Sequence, residues 1–423
     1  MSTATEIENP LNRLTDEQIE ALGKEFQAIH DEVYEDLGER DATYIRSIIQ
    51  FHRRLAALSR IVLMASRYKP AWVLGTAGLS TAKIIENMEI GHNVMHGQWD
   101  WMNDPEIHSS TWEWDMSGAS KHWRFTHNFM HHKYTNILGM DDDVGYGVIR
   151  VTRDQRWKPF NLSNLFFNTL LAVGFEWGVG LQHLELGKIS KGRDDRKATM
   201  ERIKEFGVKA GAQVAKDYAL WPAVTALSPN ATFTSTMKAN AVANVIRNVW
   251  ANAVIFCGHF PDGAEKFTKT DMVGESKGQW YLRQMLGSAN FKNGPLLRFM
   301  SGNLCYQIEH HLFPDLPSNR YHEISFKVRE ICDKYDLPYT TGNFAVQYGK
   351  SWRTIAKLSL PDRFLTDTRD DAPETRSERM FDGLDDSERR GLKSAIAAVR
   401  ARRRAKQNQK SLKNAEKRED LAA

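Results

Sequence analysis

Three short histidine clusters constrain this chain more than any other feature. They are His92 and His96 in GHNVMHG, His127, His131 and His132 in THNFMHH, and His310 and His311 in QIEHH. A fold that gives them one role must bring three distant segments together. On a helix, residues four apart share a face and adjacent residues diverge by about 100°. His92 therefore pairs with His96 and His127 with His131, while His132 points elsewhere. One i, i+4 pair is weak evidence for a ligand site. Three clusters, each beside a segment able to hold it rigidly, are much stronger evidence. His259 in FCGHFP adds an eighth imidazole. Imidazole suits iron, copper and zinc. Seven or eight of them exceed one four-coordinate zinc and fit two metals with open positions.

The apolar stretches set the frame. Residues 55–68 are apolar but interrupted by Arg60 and Arg67, and Pro70 follows in a turn. AWVLGTAGLSTA (71–82) continues as KIIENMEIGHNVMHG, which suggests a helical hairpin ending in the first cluster. Each arm is shorter than the ~20 apolar residues of an ordinary span, so a buried soluble helix pair is the competing reading. A second hairpin joins DYALWPAVTAL to ANAVANVIRNVWANAVIFCG (239–258) near Ser228-Pro229-Asn230. Asn240, Asn244, Asn248 and Asn252 recur every four residues along it. In a membrane that polar stripe must face protein. The most apolar run, 161–182, is followed by a loop dense in Lys and Arg, so a crossing there would break the positive-inside pattern. An interfacial or re-entrant helix is expected instead. Two hairpins leave both termini and both basic loops on one side.

The expectation is an all-α integral membrane protein with about four spanning helices and a cytosolic helical cap. Residues 1–50 read as a polar helical segment, opened by a Thr15–Gln18 capping box. Residues 51–360 form the main domain, and 361–423 a basic, largely disordered or amphipathic tail. From Asp386 to Asp420 the tail has 12 Lys and Arg against 5 Asp and Glu, with Leu392, Ile396 and Val399 at helical spacing. That pattern favours a membrane surface over nucleic acid, and no nucleic-acid partner is expected. A mean hydropathy of −0.51 looks soluble, but the polar ends pull it down. Cys257, Cys305 and Cys332 are scattered and read as reduced thiols. The acidic N-terminal 50 residues contain no signal-peptide core.

The order H-x-x-x-H, H-x-x-x-H-H, Q-x-x-H-H, at the ends of two helical hairpins, resembles the membrane fatty acid desaturase family. The phrases GHNVMHGQWDWMNDP, HHKYTN and QIEHHLFPDLP resemble its bacterial acyl-CoA branch, over roughly residues 50–360. The resemblance implies a non-haem centre of two Fe(2+) ions. Its matching ligands are His92, His96, His127, His131, His132, His310 and His311, with His259 as the extra histidine between the second and third boxes. Gln307 stands where animal acyl-CoA desaturases have a further histidine. Those enzymes also carry an asparagine four residues before the extra histidine, and here that position is Ile255. Asn252 lies within about 20° of the helical direction of His259 and is the candidate replacement.

The implied activity is O2-dependent desaturation of a saturated long-chain acyl-CoA, with stearoyl-CoA giving the cis-9 product. The implied setting is a multi-pass protein of the cytoplasmic membrane, in the lipid bilayer, with its site on the cytosolic face. The sequence has no dinucleotide fingerprint, no four-cysteine cluster motif and no His-Pro-Gly-Gly. Electrons from NADPH are thus expected through a separate reductase, steered by Arg150, Arg153, Arg156 and Lys158 or by the tail. A membrane di-iron hydroxylase of lipid or alkane chains is the rival within the same superfamily. A non-catalytic metal-binding or scaffold protein is the rival outside it.

Other residues carry weaker signals. Glu89-x-x-His92 has the spacing of soluble di-iron carboxylate bundles, but a second such pair is missing. Glu89 and Glu309 read better as groups orienting ring N–H donors. Asp141-Asp142-Asp143 reads as a solvated turn ahead of that role. Trp99, Trp101, Trp112 and Trp114 suit both an interfacial belt and the wall of an acyl tunnel. His30, His52, His108, His122, His183 and His322 are expected outside the ligand set.

Overall fold

The computed structural model describes residues 11, 14–152, 155–184, 196–261, 263–361 and 400–409. α-Helices of eight or more residues between residues 14 and 361 are numbered in chain order. The expected capping box opens α1 (Asp16–Glu35): the Thr15 N–H donates to Gln18 Oε1 at 2.9 Å, and the Gln18 N–H to Thr15 Oγ1 at 3.3 Å. Ile19, Leu22, Phe26, Ile29 and Val33 form its buried stripe, the spacing of one helix face. That face packs on α8 (Lys277–Leu286). The second helix, α2 (Glu39–Leu63), runs unbroken across the expected boundary at residue 50.

α2 and α3 (Lys69–Ile85) form the first hairpin, with Pro70 in the first turn of α3. Gly75 and Gly78 let them approach closely. A Cβ at Gly78 would lie 2.4 Å from Ser59 Oγ, and one at Gly75 2.8 Å from Leu63 Cγ. The second hairpin is built from α6 (Arg196–Ala215), prolonged by Lys216–Leu220 and Trp221–Thr225, and α7 (Phe233–His259). The two tips touch. Ser228 Oγ donates to the Met64 carbonyl at 2.7 Å and the Arg67 N–H to the Asn230 carbonyl at 2.9 Å. The histidines His92, His96 and His259 stand at the opposite ends of the same hairpins.

The expected polar stripe is buried: Asn240, Asn244, Asn248 and Asn252 all face protein. Apolar side chains cover the outward faces instead, among them Leu58 and Ile61 on α2, Leu74 on α3, and Val242, Val245 and Val249 on α7. Only α7, among the described residues, is both long and apolar enough to cross a bilayer by itself. α2 carries several arginines, and regular α3 ends after 17 residues. The run 161–182 is broken at Gly174 into α4 (Asn164–Val173) and α5 (Phe175–Gln182), with Leu165, Phe166 and Leu170 exposed.

The remaining numbered helices are α9 (Tyr321–Lys334) and α10 (Phe344–Leu358). Among the described residues the fold is helical apart from an isolated bridge between Ile137 and Phe267 and one short strand pair. Asn290–Lys292 (β1) pairs in parallel with Thr341–Asn343 (β2), Asn290 opposite Thr341. Arg150, expected on a basic docking surface, is buried and donates to the Gln155 and Leu358 carbonyls. Arg156 and Lys158 are exposed. Arg153 and the tail positions Leu392, Ile396 and Val399 lie outside the described residues.

Candidate metal centre

Two of the three histidine boxes sit on π-helical stretches rather than regular α-helix. α3 continues through Glu86–His92, and the helix begun at Ser120–Trp123 continues through Arg124–His131. Such i→i+5 turns recur at functional sites because they re-aim side chains without ending the helix. His127 and His131 still share a face, their rings stacked 4.9 Å apart, while His132 stands nearly perpendicular to His131. The third box lies on the short helix Gln307–Leu312, every residue of which is buried.

These elements bring all eight histidines together. His92, His96, His127 and His310 form one group, His127, His131 and His132 a second, and His131, His259 and His311 a third. His132 links them, with ring centroids 4.6 Å from His96, 4.8 Å from His310 and 4.4 Å from His311. The nitrogen geometry fits metal binding. His92 Nε2 lies 3.3 Å from His310 Nε2, and His259 Nε2 3.2 Å from His311 Nε2. Two ligands about 2.1 Å from one ion and roughly 90–110° apart would be ~3.0–3.4 Å from each other. Nε2 of His96, His127, His131 and His132 is buried without a hydrogen-bond partner. Uncompensated buried polar atoms are costly, and an ion among these lone pairs removes that cost.

Protonation agrees. Burial, then the neighbouring rings, hold His96, His127, His132, His310 and His311 well below the ordinary imidazole range. Neutral imidazole is the form that ligates. Burial pulls His131 the same way, but Asp141 and Asp143 outweigh it and raise its pKa to about 9.

Hydrogen bonds behind the rings fix their aim. His131 Nδ1 lies 3.0 Å from Asp141 Oδ2, and the Asp143 carboxylate stands 3.5 Å from His127 Nδ1 as an ion-pair contact only. His310 Nδ1 meets Tyr321 Oη at 3.2 Å, and His311 Nδ1 meets Gln284 Oε1 at 3.1 Å. The expectation for the acids is thereby corrected. Asp141 is buried and serves both roles, holding His131 and closing its own turn by accepting the Asn136 and Asp143 N–H groups. Glu89 and Glu309 orient no ring. Glu89 accepts from Tyr44, Ser318 and Asn303, and Glu309 from Tyr339 and Asn290. Gln284 and Tyr321 carry no sequence signal, because only the fold places them beside the third box.

Gln307 borders the cluster, its Nε2 3.1 Å from His259 Nε2 and its Oε1 unpartnered. Gly258 leaves room for it, since a Cβ there would lie 2.7 Å from Gln307 Cγ. Asn252 is elsewhere, its Oδ1 accepting from Tyr348 at 2.9 Å. Seven residues of helix separate it from His259 by about 10 Å along the axis. His122 bonds Glu205 and His30 bonds Asp315, both outside the cage.

A cavity opens against His92, His127 and His131, walled by Met88, Trp114, Trp123, Phe175, Ala251 and Ile255. Of the four tryptophans expected as a wall, Trp114 contributes. Trp99 is buried in a separate core with Ile45, Ile85 and Val94, and Trp101 and Trp112 pack against that core. If metal fills the cage, loading with ferrous iron should raise the melting temperature by several degrees and chelation should reverse it, as for any ligand of the native state. Differential scanning fluorimetry in detergent measures this.

A helical protein that folds three such histidine boxes into one buried cage beside an apolar cavity is built for metal-dependent chemistry on a hydrocarbon chain. The chain belongs to the fatty acid desaturase family, whose model matches residues 70–343. It is 70% identical over 419 residues, 97% of each chain, to the NADPH-dependent stearoyl-CoA 9-desaturase of Mycobacterium tuberculosis (strain ATCC 25618 / H37Rv). It is also 25% identical over 291 residues to the sn-1 linoleoyl-lipid 6-desaturase of Synechocystis sp., covering 66% of this chain and 77% of that one.

Proposed function

We propose that the protein introduces a cis double bond between carbons 9 and 10 of stearoyl-CoA. The 70% identity to a stearoyl-CoA 9-desaturase over 97% of both chains carries this reading. The buried imidazole cage facing an apolar cavity supports it. Two adjacent methylenes lose one hydrogen each. With O2, two electrons and two protons, the products are an alkene and two waters. Iron, when bound, supplies the O2 chemistry that breaks an unactivated C–H bond, which no side chain provides.

The residues do the rest. His92, His96, His127 and His310 are the ligands proposed for one ion, and His131, His259 and His311 for the second. His132 lies between the groups and Gln307 at their border. Asp141, Asp143, Tyr321 and Gln284 keep the rings aimed. The cavity wall excludes water and holds the chain in one register, which is the protein's main contribution to a reaction of this kind.

The two hairpins are read as four spanning segments, with the cage on the cytosolic side. Their exposed apolar faces and joined tips support this. α4 and α5 then lie at the interface. Electrons come from NADPH through a separate reductase, with Arg156 and Lys158 exposed to steer it.

The test is iron-loaded protein in lipid nanodiscs with stearoyl-CoA, O2, NADPH and a reductase-containing membrane fraction, analysed by gas chromatography–mass spectrometry. A 9-octadecenoyl product is expected. A hydroxystearoyl product would replace this reading with the hydroxylase. No oxidised product from iron-replete protein receiving electrons would overturn both.

A further inference from the structure

One buried histidine has no part in the cage. His183 caps the C-terminal end of α5 and is 5% exposed. Its Nδ1 is buried without a hydrogen-bond partner, and no described residue bonds either ring nitrogen. The ring is held in a slot of bare backbone. A Cβ at Gly118 would lie 3.2 Å from His183 Nδ1 and 3.3 Å from Gly180 Cα. Burial lowers the pKa of His183 to about 4, so the ring is neutral and keeps one N–H donor.

Its place is distinctive. His183 lines the apolar cavity that also touches His92, His127 and His131, and it lines a polar surface groove with Lys121, His122, Glu201, Arg202 and Glu205, where Lys121 bonds Glu205 at 2.6 Å. Thr126 is the other residue shared by the two. His183 therefore stands at the boundary between a space for hydrocarbon and a polar groove that faces the surface. An acyl-CoA has one polar feature at the matching point, the thioester carbonyl between its alkyl chain and its phosphate-bearing carrier. Buried polar groups are satisfied in native sites, so an imidazole with no protein partner, carrying its proton on the nitrogen that faces the cavity, and an orphan carbonyl there are complementary.

We propose that His183 anchors the substrate by donating a ring N–H to the thioester carbonyl oxygen, with the carrier in the Lys121–Arg202 groove. This rests on the acyl-CoA reading above. The anchor fixes the distance from the carbonyl to the reacting methylenes, so it sets both affinity and the position of the double bond.

The experiment compares wild type, His183→Phe, which fills the slot without a donor, and His183→Asn, which restores a short donor. Each is assayed for iron content, KM for stearoyl-CoA, and double-bond position by mass spectrometry of derivatised products. His183→Phe should keep its iron, raise KM at least tenfold and yield a mixture of double-bond positions. His183→Asn should recover part of both losses. An iron-replete His183→Phe enzyme with wild-type KM and a single product overturns the proposal. So does an iron-replete His183→Asn no better than His183→Phe. If His183→Phe does not fold, the asparagine variant decides alone: an iron-replete His183→Asn enzyme should have a raised KM or a shifted product, and wild-type values for both overturn the proposal. If wild type makes no alkene from stearoyl-CoA, the acyl-CoA reading fails first, and that outcome is separate because it appears before any substitution.

Discussion

Replacing His131 or His132 with alanine is expected to remove desaturation below detection while the protein stays in the membrane. Each ring belongs to the part of the cage that joins the two ends, so each loss should also lower bound iron, read by elemental analysis. The two variants should differ in stability. His131 faces Asp141, which is buried, at 3.0 Å. Removing the imidazole leaves that carboxylate with only the Asn136 and Asp143 N–H groups. A buried carboxylate that loses its hydrogen-bonded imidazole keeps its desolvation cost, so this loss is strongly destabilising. His132 has no carboxylate partner, so His132→Ala should melt closer to wild type. Adding Asp141→Asn to His131→Ala should recover melting temperature and no turnover. Full iron and normal products from either single variant would remove these residues from the site.

The eight histidines were legible because the chemistry of a metal cage demands one residue type, and the chain repeats it at helical spacing. The hairpins were legible because apolar runs and turn residues alternate. What escaped depends on distance in sequence. Tyr321 and Gln284 hold His310 and His311, yet nothing local distinguishes them from other tyrosines and glutamines. Asp141 was visible but ambiguous, since a DDD turn is usually solvated and only burial separates the readings. The π-helical stretches were invisible too, because the same i, i+4 spacing fits a regular helix. Asn252 misleads for a different reason: it shares the helical direction of His259 but stands about 10 Å away along the axis, bonded to Tyr348. Arg150 misleads because basic runs usually lie at the surface, whereas here backbone carbonyls absorb its guanidinium.

Replacing Lys83 with methionine is the second large expected effect, and it concerns why the boxes meet at all. Lys83 lies on α3, and its side chain is 3% exposed. Its ammonium contacts Asp217 at 2.9 Å and Asp115 at 3.1 Å. Asp217 is fully buried in the second hairpin and also accepts from Asn244 at 3.0 Å. Asp115 is bonded to Lys216, and its backbone carbonyl accepts from Arg247 at 2.9 Å. Arg247 in turn pairs with Glu176 at 2.7 Å. One network thus ties α3, the 115 loop, the second hairpin and α5 together on the hairpin side of the cage. Lys83→Met removes the charge shared by two carboxylates and should cost about 3–5 kcal/mol. Asp217→Asn in the same chain should recover part of it, because the uncompensated charge is then smaller. Thermal melts of the two single variants and the double, taken as a cycle, give the coupling. Additive effects would show that Lys83 and Asp217 are not coupled across the two hairpins. Strong coupling would show that the register of the first box against His259 depends on charge pairing inside the bundle. An apolar interface tolerates sliding by a helical turn, whereas a buried ion pair does not, and a cage built from three distant segments needs that intolerance.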